Sequence, residues 1–208
     1  MRLLNRKTQD QRDRRRGLED KAIAQDRRSF LKLSGLGLLT YSVGGASLLM
    51  TPAQARAKEV PLTVLTPDEA RTLEAFGETL HPGASEAGLA HFVDHQLSLD
   101  PDDCMSLVKY FVNDPPFINF YRAGFKSLQD YSKAKYSVSF VALKDADRIE
   151  LVKTIVRDNP KDWPFPPPAP LFYMVVRNDT TDVLYGTIDG FRRLGVPYMP
   201  HIVPPKSW

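Results

Sequence analysis

Along "TPDEARTLEAFGETLHP" the apolar positions Ala70, Leu73, Phe76 and Leu80 recur every three or four residues, the period at which side chains share one face of a helix. Thr66 supplies an N-cap oxygen, Pro67 fits the first helical position, Asp68 and Glu69 suit the positive end of the helix dipole, and Pro82-Gly83 stops the run. The next stretch, "SEAGLAHFVDHQL", repeats the scheme, with Ser85 as the predicted cap and Leu89, Phe92, Val93, Gln96 and Leu97 as a stripe with one polar member. After Asp100-Pro101 a third segment is expected to bury Leu107, Val108, Phe111 and Val112. After Pro115-Pro116 a fourth aligns Phe117, Phe120, Tyr121, Gly124, Leu128 and Tyr131. A fifth, from about Asp145 to Arg157, presents Ile149, Val152, Ile155 and Val156 and ends before Pro160. Residues 170–184, with Phe172, Val175, Val176 and Val183, read as a helix, although the valines also suit a strand.

No stretch alternates apolar and polar residues between hairpin turns, which disfavours an all-β fold. "DWPFPPPAP" can neither continue a helix nor sit inside a sheet, because proline lacks a donor and holds the backbone extended. The tail "GVPYMPHIVPPKSW" behaves likewise, placing Tyr198, Met199, His201, Ile202, Val203 and Trp208 on an extended rope with four prolines. Such a tail is fixed either on its own domain or on a partner, since prolines make extended segments cheap to order. The expectation is an all-α class: a small irregular helical domain with proline-rich extended segments and an extended C-terminal tail.

A different organisation rules the first quarter of the chain. Residues 1–28 are basic, residues 33–50 carry no charge, and "TPAQARA" offers small-x-small cleavage motifs ending at Ala55 and Ala57. Arg27 and Arg28, followed by Ser29, Phe30, Leu31 and Lys32, resemble a twin-arginine export signal, and Gly35, Gly37, Ser42, Gly44 and Gly45 weaken the hydrophobic run below that of a stable span. The expected division is a signal peptide over residues 1–57, cut after Ala57, and a helical domain over 58–208. An uncleaved anchor is the alternative, because 18 uncharged residues are just long enough to cross hydrocarbon.

Charge changes meaning once that division is made. The whole chain is +3, but the first 57 residues hold 12 basic and 5 acidic side chains, leaving 16 against 20, about −4, from Lys58 onward. Nucleic acid is therefore not an expected partner.

The search for chemistry finds no Gly-rich dinucleotide turn, phosphate loop, Gly-x-Ser-x-Gly or Cys-x-x-Cys. "HFVDH" puts His91 and His95 one turn apart with Asp94 able to orient a ring, but Phe92 stands where a metalloprotease has its Glu, and zinc needs more ligands. His81 and His201 read as hydrogen-bonded packing residues. Cys104 is the single cysteine: a buried thiol by default, or a bridge to another chain in an oxidising compartment. No catalytic, cofactor or metal residue is assigned.

"LEAFGETLHPGASEAGLAHFVDHQL" (residues 73–97) and "LYGTIDGFRRLGVPYMPHIVPPKSW" (residues 184–208) resemble the small, or subunit 3, chain of the gluconate 2-dehydrogenase family. The resemblance implies a periplasmic complex associated with the inner membrane. Its large subunit would carry FAD and its multihaem cytochrome c would pass electrons on, with no cofactor in the small chain. It also implies that the small chain escorts the large one: FAD is inserted in the cytoplasm, and the twin-arginine translocase accepts folded cargo. In that reading the contacts with the large subunit are expected at Tyr185, Phe191, Val196, Pro197, Tyr198, Met199, Pro200, His201 and Trp208. Two alternatives belong to other classes: an independent periplasmic metal-dependent enzyme using His91 and His95, and a membrane-tethered binding protein.

Overall fold

Gly44 and Gly45 both adopt positive φ, +57° and +83°, and so close a two-residue turn between β1 (Leu39–Val43) and β2 (Ala46–Met50). The structure, a computed structural model, describes residues 37–112, 114–164 and 166–197. In it the strands pair antiparallel, Leu39 opposite Met50 and Val43 opposite Ala46. This hairpin was not expected from the pattern; the glycine pair supplies it, in a stretch read as an uncharged leader.

Seven helices follow among the described residues: α1 (Pro52–Ala57), α2 (Pro67–Leu80), α3 (Leu89–Ser98), α4 (Ile118–Tyr136), α5 (Asp145–Arg157), α6 (Ala169–Tyr185) and α7 (Ile188–Arg193). The fold is all-α apart from the hairpin. Short 3₁₀ turns lie at Leu107–Tyr110 and Phe140–Ala142. The N-terminus of α2 is a capping box: Glu69 N donates to Thr66 Oγ1 at 3.3 Å and Thr66 N to Glu69 Oε2 at 2.8 Å. Thr51 and Gln54 make the same reciprocal pair on α1.

α6 is the central helix, packed against α2, α3, α4, α5, α7 and the first 3₁₀ turn. Its Phe172 is fully buried with ring centroids 5.5 Å from Phe76 on α2, 5.9 Å from Phe125 on α4 and 6.3 Å from Trp163. Gly124 on α4 permits the approach, since a Cβ there would stand 2.2 Å from the Phe172 ring. The proline-rich segment is irregular and tied down by Trp163, whose Nε1 donates to the Pro167 carbonyl at 2.8 Å, and by Ser127 Oγ, which donates to the Pro164 carbonyl at 2.9 Å.

Three expectations need correction. α3 is capped by Gly88 in the left-handed conformation, not by Ser85; the Glu78 carboxylate accepts from Gly83 N and Ser85 N at 3.0 and 2.7 Å, holding a turn there and delaying the helix. The segment after Pro101 makes only one 3₁₀ turn, which buries Val108 and leaves Phe111 half exposed. On α5 the inward face is Leu151, Val152 and Ile155; Val152 and Ile155 stand as expected, while Ile149 and Val156 are exposed because α5 meets the core along a narrower stripe.

One polar pair is enclosed in the core. Tyr121 on α4 donates its hydroxyl to Asp179 Oδ2 on α6 at 2.6 Å, and Asp179 Oδ1 has no partner. Burial pushes the Asp179 carboxyl up to about 7, with Asp182 adding to the rise and the Tyr121 hydrogen bond opposing it. Between the ordinary aspartate value of 3.8 and about 7, the folded chain keeps a proton that the unfolded chain has released. This group therefore favours folding at the acid end, and its contribution fades as pH rises toward neutrality.

Two predictions follow the packing. Alanine at 124 would gain roughly 1 kcal/mol of helix propensity, but overpacking typically costs about 1–3 kcal/mol, and here the neighbour is a ring in contact on every side. Gly124→Ala should lower Tm by a few degrees; an unchanged or raised Tm would contradict the close approach. For Asp179→Asn, stability measured by urea unfolding should lose part of the decline that the native chain shows from acid to neutral pH. Parallel pH profiles for the two proteins would remove Asp179 from the account.

Candidate functional site

Asp94, on α3, illustrates how polar groups are used here. Its Oδ2 accepts from Thr63 N at 2.9 Å and Thr63 Oγ1 at 3.0 Å, and its Oδ1 accepts from Val64 N and Leu65 N at 2.8 Å each. Four donors saturate the carboxylate, so it pins the chain entering α2 to α3 and does not orient a histidine ring as the sequence suggested.

The two histidines beside it meet the hairpin and its connection. His91 Nε2 donates to the Val60 carbonyl at 3.0 Å, and the Tyr41 hydroxyl donates to the His91 carbonyl at 3.3 Å. The Tyr41 ring lies 5.4 Å from that of His95 and 6.5 Å from that of His91. Burial pushes His95 below the ordinary histidine range. Both Nδ1 atoms are buried without partners. Among the described residues no three His, Cys, Asp or Glu side chains gather as a metal site.

Cys104 is buried, 3 % exposed, and burial raises its thiol, so little thiolate forms at neutral pH. A bridge to another chain would need this segment to open. His81 makes an edge contact with Tyr185 at 5.9 Å.

Around α2 and α4 runs an open groove of about 550 Å³ bordered by Arg71, Arg122, Lys126 and Lys133 as well as Asp68 and Glu69. Arg71 pairs with Asp68, Arg122 with Glu69 at 2.9 Å and Lys126 with Asp130. Its charge is largely balanced within the chain.

The stretch read as leader lies partly within the described residues. Arg27, Arg28, Phe30, Leu31 and Lys32 lie outside them. Ala55 is fully buried in α1, together with Tyr41, Met50 and Val60 in a small second core, and Ala57 is exposed at the end of the same helix. The compact unit begins at Gly37. No described helix is long and apolar enough to cross a membrane.

Of the expected partner contacts, Tyr185 and Phe191 are half-buried, whereas Val196 and Pro197 are exposed; Tyr198, Met199, Pro200, His201 and Trp208 lie outside the described residues. The sequence reading missed a second exposed group. Met105 and Tyr110 are 72 % and 74 % exposed and Phe111 is 50 % exposed, all within seven consecutive residues. A signal for it exists: Met105 and Tyr110 fall off the helical stripe drawn through Leu107, Val108, Phe111 and Val112, in a segment too short to bury two faces.

The described side chains thus offer saturated pins, an enclosed core pair and exposed apolar surface. No curated protein and no solved structure matches the chain. The family model described as gluconate 2-dehydrogenase subunit 3 matches residues 67–198, from the first turn of α2 to the beginning of the tail. Spanning more than half of the sequence, that match shows that the chain belongs to the gluconate 2-dehydrogenase subunit 3 family.

Proposed function

We propose that this chain is the non-catalytic small subunit of a periplasmic, FAD-dependent gluconate 2-dehydrogenase complex, and that it escorts the flavoprotein subunit through twin-arginine export and then stabilises it. The observation that carries this reading is the joining, in one polypeptide, of a subunit 3 match with the Arg27-Arg28 pair ahead of an uncharged run. FAD and haem c belong to the partner subunits in this proposal. The complex sits at the inner membrane through its partners, and the small chain supplies the export label and a binding surface.

The arrangement of buried groups supports the same reading. Asp94, Tyr121 and Asp179 serve the packing of helices, so their chemistry is already committed. For residues 33–50 to serve as the apolar run of a leader, the hairpin that lies within them would have to yield, and a two-stranded hairpin is marginal by itself.

Replacing Arg27 and Arg28 together by lysine should leave both this chain and the large flavoprotein chain in the cytoplasmic fraction. Export of the large chain despite the change would contradict the escort role. Removing residues 195–208 should reduce co-purification of the two chains while the helical circular dichroism persists. Undiminished co-purification would take the tail out of the contact.

A further inference from the structure

Met105, Tyr110 and Phe111 are exposed by construction, not by fraying. The residues between them are anchored: Ser106 is 1 % exposed, Val108 is fully buried against the core, and the 3₁₀ turn rests on α6. Met105 N donates to Gln96 Oε1 at 2.8 Å and Phe111 N to the Val108 carbonyl at 3.1 Å. Three large apolar side chains are thereby held in water, where burying them would be favourable. Exposed aromatics and a methionine within seven residues of an anchored segment have the composition of an interface centre.

The border of this knob selects the occupant. Asp100, Asp102, Asp103 and Asp114 are exposed on the same stretch of chain, and in sequence Lys109 is the only basic residue between them. Four carboxylates oppose approach to an anionic lipid surface. They also oppose a two-fold contact with a second copy, which would set like charges against each other. What remains is a different protein.

We propose that the Met105–Tyr110–Phe111 knob docks into an apolar cleft bordered by arginine or lysine on the large flavoprotein subunit. The inference rests on the proposed assembly with a large flavoprotein subunit and adds to it a specific contact, independent of the tail. The aromatic pair supplies holding strength, and the aspartates supply steering that weakens with salt.

The test uses the whole complex, captured through a tag on the large subunit, with three variants of this chain. Tyr110→Ser with Phe111→Ser should lower retention by roughly tenfold or more in Kd. Asp102→Lys with Asp103→Lys should slow association and flatten its salt dependence. Ile149→Ser with Val156→Ser, which removes exposed apolar groups elsewhere, should leave retention unchanged, and circular dichroism should match the native chain in all three. Failure of the native chain to be retained would overturn the assembly itself. Native retention with equal retention of the first two variants would overturn the knob alone. So would loss of retention in the third variant to the same degree, a dimer of the isolated chain abolished by the first variant, or binding to phosphatidylglycerol vesicles that needs these residues.

Discussion

The contact between Gly124 and the Phe172 ring sets how closely α4 and α6 can approach, and most of the fold follows from that distance. With the ring seated against α4, Phe76 reaches it from α2 and Trp163 from the proline-rich segment, so one side chain of α6 gathers three other parts of the chain. The same approach brings Tyr121 within 2.6 Å of Asp179. A wider crossing would leave that carboxylate buried without its donor, a far more costly state than the hydrogen-bonded one.

A core organised in this way leaves little polar chemistry free. Asp94 closes the entrance to α2, the Glu78 carboxylate holds the turn before α3, and His91 fastens α3 to the Val60 carbonyl. Among the described residues the exposed large apolar side chains include Val196 and the three at the 3₁₀ turn, Met105, Tyr110 and Phe111. The chain belongs to a family named as a subunit of a dehydrogenase.

Much of this was legible along the chain, and the reasons are specific. α2, α4 and α6 each carry a stripe at helical spacing, and two have ends marked in the sequence: Thr66 with Pro67 for α2 and the proline pair before Ile118 for α4. α3 was right in face but late in start, because Glu78, seven residues before Ser85, takes the backbone donors of the turn. Ile149 and Val156 misled because α5 presents only a narrow face, set by its neighbours rather than by its own periodicity. Phe111 and the hairpin failed for a different reason. Apolar character alone does not say whether a residue faces the core, a partner or a strand mate, and a short segment between prolines has no period with which to decide. The candidate surface was visible only in part: the tail was read in the sequence, whereas the off-stripe positions of Met105 and Tyr110 gained meaning only with their exposure.

The central claim is that this chain works by binding a catalytic subunit and performs no oxidation itself. Its most direct test is dye-coupled oxidation of gluconate and related sugar acids by the purified chain alone, alongside the assembled complex and with bound flavin measured in both. The account predicts turnover and flavin in the complex and neither in the isolated chain. Turnover by the isolated chain, with no second protein present, would contradict it.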